Sequence, residues 1–241
     1  MSNRILFVFE GEKTEKQITE NLTKYFIKEN IIIQCAYCTD IYKLHKELSD
    51  DDDLDVFVLL KEKPQNVSIL SEYNRTDFSE IYLFFDYDGH APLAEDRKIE
   101  DVVNFFNEET ASGKLYISYP MVEALKHHSD SNDFKFKKVN AKNNIGYKHI
   151  VHDECNGILR NLTEYSKEIW LLLSELHLKK MNYIVNNNYA LPTQNVSQSE
   201  IFHSQLEKYI NIDSTVAVLS SFPIFLYDYY GNSFITSLQS K

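Results

Sequence analysis

The first 130 residues alternate between short apolar runs and amphipathic segments, and this alternation constrains the fold more than any other feature. Arg4-Ile5-Leu6-Phe7-Val8-Phe9 is rich in β-formers and reads as a strand buried on both faces. Glu10-Gly11 ends it, and helical spacing from Thr14 to Lys28 follows, with Ile18, Leu22, Tyr25 and Phe26 on one face and Thr14 as the expected N-cap. Residues 31 to 36 read as a second strand. Asp40 to Ser49 reads as a helix with Ile41, Leu44 and Leu48 on its stripe. The apolar piece from Leu54 to Leu60 fits either a strand or a helix. Glu80 to Phe85 is the clearest strand, residues 98 to 108 the next helix, Lys114 to Tyr119 a strand, and Met121 to His127 a helix begun by Pro120. Such alternation implies a mostly parallel, Rossmann-like sheet flanked by helices. Ligands then belong where the carboxyl ends of the strands meet a switch point.

After residue 130 the character changes. Residues 162 to 186 and Val196 to Ile210 are helical in pattern, and Thr215 to Tyr230 reads as a helix interrupted near Pro223. The expected organisation is an α/β core over residues 1–130 and a mainly helical C-terminal subdomain over 131–241. Trp170, Leu171, Leu172, Leu173 and Leu176 are expected in the core of the second part. Phe222, Phe225, Tyr227, Tyr229 and Tyr230 suit buried packing better than an oligomer face.

Charge and cysteine content narrow the function classes. With 25 Lys+Arg against 36 Asp+Glu the net charge is −11, which disfavours indiscriminate nucleic-acid binding but leaves room for a local basic groove or a cation-filled site. No apolar run approaches the roughly 18–20 residues of a membrane span. The opening residues lead directly into the first strand, unlike a secretory leader. Three cysteines cannot pair completely. A cytoplasmic protein with no membrane partner is the expectation.

The chemistry-bearing residues gather at the ends of strands. Glu10 closes the first strand, Asp86 and Asp88 close the strong one, and Glu123 lies one turn past Pro120. In a parallel sheet these ends share an edge. Carboxylates clustered there repel one another unless cations occupy the cluster, and hard oxygen ligands suit Mg²⁺ or Mn²⁺. A site of that kind facing phosphate is the arrangement for phosphodiester chemistry. Any one of these acids alone is more simply a turn former.

Three stretches give the pattern a family likeness: Phe7-Val8-Phe9-Glu10-Gly11-Glu12-Lys13-Thr14-Glu15, Phe84-Phe85-Asp86-Tyr87-Asp88-Gly89-His90, and Ser118-Tyr119-Pro120-Met121-Val122-Glu123. In this order they resemble the EGxxTE, D-x-D-x-H and S-N-P-x-F-E segments of Toprim domains. Within that group they are most similar to RloB-type proteins of bacterial defence loci, which are related to OLD-type nucleases. Tyr119 stands where the family has Asn, and Val122 where it has an aromatic. The likeness spans residues 4–128. It implies a Toprim-like fold and a divalent-metal-dependent nuclease acting on DNA or RNA in defence against phage. Glu10, Asp86, Asp88 and Glu123 would be catalytic, and Glu10, Glu15, Asp86, Asp88 and Glu123 would hold Mg²⁺ or Mn²⁺. His90 is the candidate for proton transfer. A partner ATPase is expected by analogy with OLD systems, since no P-loop occurs in this chain.

Beside these lies a basic stretch, Lys135, Lys137, Lys138, Lys142 and Lys148, interleaved with Phe134, Phe136 and Tyr147. It can follow a phosphate backbone and stack on unpaired bases, or be a solvated loop. Cys35-Ala36-Tyr37-Cys38 with His152 and Cys155 has zinc-like spacing, but incidental cysteines explain it more simply. Asp50 to Asp53 reads as an exposed turn or helix end. Two rivals to the nuclease reading stand: a non-catalytic nucleic-acid-binding or adaptor subunit, and a signalling domain phosphorylated on Asp86. The second leaves the Glu10 motif unexplained.

Overall fold

The computed structural model describes residues 3–50, 55–128 and 131–239. Two compact units emerge: residues 1–86 with 93–115, and residues 87–92 with 116–241. The division differs from the expected break at 130. Backbone hydrogen bonds Tyr87 N to Ser118 O (3.0 Å) and Asp88 N to Pro120 O (3.1 Å) join the 87–92 segment to the second unit.

The first unit runs β1 (Asn3–Phe9), α1 (Thr14–Phe26), β2 (Ile31–Tyr37), α2 (Ile41–Asp50), α3 (Val56–Glu62), α4 (Val67–Leu70), β3 (Glu80–Asp86), α5 (Asp96–Phe105), β4 (Asn107–Glu108) and the start of β5 (Gly113–Ser118). Among the described residues the strands form a five-stranded sheet in the order β2-β1-β3-β5-β4. β1 is parallel to β2 and to β3, whereas β4 is antiparallel to β5. The run Ile5–Phe9 has no exposed surface, as expected for a strand covered on both faces. Phe7 and Phe9 pack on Phe84 with ring centroids 5.2 and 5.5 Å apart. The chain leaves β1 for β2 on one side and returns to β3 on the other, so the strand order reverses around β1. Ligand crevices of open α/β sheets form beyond the carboxyl ends at such a point.

Asn66 is fully buried and ties β2 to α3. Its Oδ1 accepts from Tyr37 N at 2.8 Å, and its Nδ2 donates to the carbonyls of Tyr37 and Leu60, both at 2.8 Å. The ambiguous apolar piece is thus helical, started by Asp55, whose carboxylate accepts from Phe57 N at 2.8 Å. Asp50 ends α2; residues 51–54 lie outside the described residues.

The second unit holds α6 (Ser131–Phe134), β6 (Lys138–Asn140), α7 (Tyr147–Glu154), α8 (Lys167–Asn186), α9 (Gln198–Gln205), α10 (Asn211–Asp213), β7 (Thr215–Ala217), α11 (Ser221–Tyr230) and α12 (Asn232–Gln239). It is mainly helical, with β6 and β7 paired antiparallel. Trp170, Leu173, Phe222, Phe225 and Tyr227 are core residues, while Leu172 is exposed. None of the described helices is long and apolar enough to cross a membrane.

Three local expectations are corrected. Thr14 is the first helical residue, with Lys13 at the N-cap. The segment after Pro120 is a 3₁₀ turn, Val122–Lys126, because Met121 is extended at φ −161° and i→i+3 bonds such as Ala124 N to Met121 O (2.9 Å) satisfy the backbone. Residues 215–217 form a strand, and Pro223 sits in the first turn of α11, where its missing N–H costs nothing.

Candidate functional site

In the first unit, Glu10 follows β1 and Asp86 closes β3, the two strands that flank the reversal. Glu15 lies in the first turn of α1 and is buried. A Cβ on Gly11 would stand 2.8 Å from Glu15 Oε2, so the carboxylate lies directly against the glycine that follows Glu10. Glu10, Glu15 and Asp86 thus belong to one unit. Asp88, His90 and Glu123 belong to the other.

In the second unit, Asp88 adopts φ +40°, a left-handed conformation that Asp tolerates better than most residues. Its Oδ1 is buried and accepts no hydrogen bond. His90 Nδ1 lies 2.8 Å from that oxygen, close enough for charge attraction but not aligned as a donor. Gly89 explains how the loop is held. A Cβ there would meet Tyr87 Cε1 at 2.5 Å and the Ala141 carbonyl oxygen at 2.9 Å, so the loop presses on the 140–141 backbone at a distance only glycine allows. Glu123, in the first turn of the 3₁₀ segment, is 7% exposed. Lys148 Nζ stands 3.6 Å from its Oε1, and its Oε2 is buried without a hydrogen-bond partner.

A cavity of about 290 Å³ opens beside Asp88 and His90. Pro120, Met121, Ala141, Ile145 and Tyr147 give it an apolar lining. Asn140, Asn143, Asn144, Lys148 and His149 supply its polar groups. Asn140 Oδ1 accepts from the backbone N–H of Lys142 (3.1 Å) and Asn143 (2.9 Å), and Asn144 Oδ1 from Gly146 N (3.1 Å), which fixes the loop into α7. Of the cavity residues between Asn140 and His149, the sequence singled out only Tyr147 and Lys148. The available signal was the Asn-rich run ending in Gly146, a turn pattern ahead of a helix.

The five lysines of the basic stretch have individual partners. Lys137 pairs with Glu154 and Lys138 with Asp213. Lys148 pairs with Glu123. Lys135 lies over the rings of Phe136, Tyr183 and Tyr189 at 4.8, 4.5 and 5.7 Å, and Lys142 over Tyr87 at 5.3 Å. Phe136 is 65% exposed, so the Lys135 cluster is an open aromatic surface.

Behind the cavity lies a buried polar network. His127 Nδ1 is 2.9 Å from the Tyr147 hydroxyl, and its Nε2 is 3.1 Å from Glu154 Oε2. Burial pushes the His127 pKa down to about 4, against the attraction of Glu154. His177 accepts from Ser220 N at 3.0 Å through Nδ1, and burial lowers its pKa to about 3. Lys180 is fully buried, donates to the Lys137 carbonyl and lies 4.4 Å from the Phe134 ring; burial lowers its pKa well below that of an exposed amine.

All three cysteines are free thiols, and burial raises Cys35 to about 12 and Cys38 to about 11. Neither provides a thiolate near neutral pH. Among the described residues, no group of three or more His, Cys, Asp or Glu side chains is arranged to hold a metal ion. Mg²⁺ does not require such a group, because it keeps several waters and is commonly held by one or two carboxylates. Asp88 Oδ1 and Glu123 Oε2, buried oxygens without hydrogen bonds, have the character of such ligands. No family model, curated protein or solved structure matches the chain.

Proposed function

We propose that the chain is a divalent-metal-dependent nuclease that hydrolyses phosphodiester bonds of DNA or RNA, with a Toprim-like site and a role in bacterial defence against phage. The observation that carries this reading is the pair of acids beyond the carboxyl ends of neighbouring parallel strands, Glu10 after β1 and Asp86 closing β3, at the point where the strand order reverses. Asp88 and Glu123 support it, since each keeps a buried oxygen that no hydrogen bond satisfies. Leaving such an oxygen unpaired costs about 1–3 kcal/mol or more, which a bound cation offsets. A bound Mg²⁺ or Mn²⁺ supplies stabilisation of charge on phosphate oxygens. The resemblance nominates Glu10, Glu15 and Asp86, within the first unit, and Asp88 and Glu123, within the second, as metal-holding residues. His90, whose Nδ1 lies 2.8 Å from Asp88 Oδ1, would exchange a proton with a reacting oxygen.

The test is cleavage of labelled single- and double-stranded DNA and of RNA with Mg²⁺ or Mn²⁺, comparing wild type with Glu10→Gln, Asp86→Asn and Asp88→Asn. Metal-dependent cleavage that falls by about 10²-fold or more in each variant is expected, in line with the loss of a group acting on the transition state. Absence of cleavage together with absence of Mn²⁺ binding by calorimetry would replace this reading with the non-catalytic adaptor. Equal cleavage by wild type and all three variants would refute the site.

A further inference from the structure

The cavity beside Asp88 has a chemistry of its own. Its volume of about 290 Å³ lies at the lower end of the roughly 300–1,000 Å³ usual for small-ligand sites, so it admits one heterocycle-sized group rather than a length of chain. Met121, Ile145 and the Tyr147 ring offer apolar faces, and the Asn143 amide offers both donors and an acceptor at the exposed edge. That combination of flat apolar contact and mixed donor–acceptor groups is what a nucleobase presents in return. Lys148, His90 and His149 lie at the same cavity, and their N–H groups can donate to one flanking phosphate rather than to a polyanion track.

We infer that this cavity seats the base of a single unpaired nucleotide. Resting on the nuclease reading, the substrate is then a strand whose base is free to enter, next to the phosphate handled by Asp88. A paired base in a duplex is enclosed by its stack and reaches such a pocket only after being turned out. The loop is ready-made for this role. The Asn140 and Asn144 carbonyl oxygens are used within the loop, so 140–146 keeps its shape without a ligand. Gly89 clamps the Asp88 segment against the same loop. Base seat and acid are therefore held in fixed register, which is what positioning a phosphate requires.

Binding without metal separates this inference from the nuclease reading. Fluorescence anisotropy in EDTA would compare a labelled 10-nucleotide single-stranded RNA, the matching single-stranded DNA and its duplex, using wild type, Ile145→Trp and Asn143→Ala. Ile145→Trp fills the cavity, and Asn143→Ala removes an exposed amide that the fold does not need. Expected are tighter binding of a single strand than of the duplex, weakening of about 10-fold or more in Ile145→Trp, and a smaller loss in Asn143→Ala. The RNA and DNA arms identify the sugar. Thermal melting by circular dichroism checks folding, and if Ile145→Trp does not fold, Asn143→Ala decides. Wild-type affinity in the folded variants, equal affinity for duplex, or no binding of either single strand overturns the base seat, whatever the cleavage result. Single-strand binding that depends on Ile145 or Asn143 without any cleavage sustains the seat and sinks the nuclease alone.

Discussion

Replacing Gly89 by alanine tests the packing that holds the Asp88 loop. The added Cβ would lie 2.5 Å from Tyr87 Cε1 and 2.9 Å from the Ala141 carbonyl oxygen, inside contact distance on two sides. Neither obstacle is a flexible tip: the Tyr87 side chain is fully buried, and the other atom is backbone. Overpacking of this kind costs about 1–3 kcal/mol. The gain from restricting the unfolded chain, about 0.4–1 kcal/mol, offsets part of that. A net loss near ~1.3 kcal/mol follows, or roughly 3–5 °C in Tm for a chain of this size. Gly157→Ala is the control. Nothing lies within 4 Å of its added Cβ, so only the unfolded-chain gain remains and the sign should reverse. Urea denaturation followed by Trp170 emission reads both variants, because the single tryptophan is fully buried and belongs to the same unit as both glycines. Gly89→Ala as stable as wild type, with Gly157→Ala behaving alike, would refute the close-approach argument.

Two further changes probe the units separately. Asn66→Leu removes one buried and two partly buried hydrogen bonds and strands Tyr37 N–H and two carbonyls, so a loss of about 2–4 kcal/mol is expected in urea denaturation monitored by circular dichroism; a loss under ~0.5 kcal/mol would show that water or relaxation replaces them. Acid should weaken the second unit: His127 and His177 are held neutral with pKa values of about 4 and 3, below the ordinary 6.5. The unfolded chain then takes up the proton first, so stability is complete above pH 6.5 and falls through pH 4 toward pH 3, by at most about 1.4 kcal/mol per pH unit for each histidine. His127→Gln should flatten the upper part of that decline in the urea midpoint, and an unchanged slope would remove His127 as its source.

The sequence carried the fold where a residue's role was local. Ile5–Phe9 and Ile81–Phe85 read as buried strands because every position is apolar, and both are buried. Carboxylates at strand ends were equally legible, since Glu10 and Asp86 fall where apolar runs stop. What required coordinates was whatever depends on distant partners. The apolar segment before Leu60 satisfies either period, and Asn66, through its bonds to Leu60 and Tyr37, anchors it as a helix. The 215–217 strand pairs with residues 138–140, a partnership no local periodicity announces. The lysines showed the same limit. Their composition suggested a basic track, yet the charges of Lys137, Lys138 and Lys148 are each matched by an acid remote in sequence.

Residues 86 to 90 concentrate features that folding alone does not favour. Asp88 takes a left-handed φ of +40°, outside the range most residues occupy without cost. Its Oδ1 is buried with no hydrogen bond, while a substitution to asparagine would keep the shape and remove the charge. Gly89 gives up side-chain packing so that the loop can touch Ala141, and His90 is held 2.8 Å from the same oxygen without an aligned donor. The left-handed backbone and the oxygen without a hydrogen bond cost stability, on the order of 1–3 kcal/mol taken singly. Their coincidence on one short loop, beside the cavity, follows if the loop is shaped for a ligand that satisfies the buried Asp88 oxygen. On the proposed reading, a phosphate-bound cation would sit at Asp88, and a base in the adjoining pocket would hold the phosphate there.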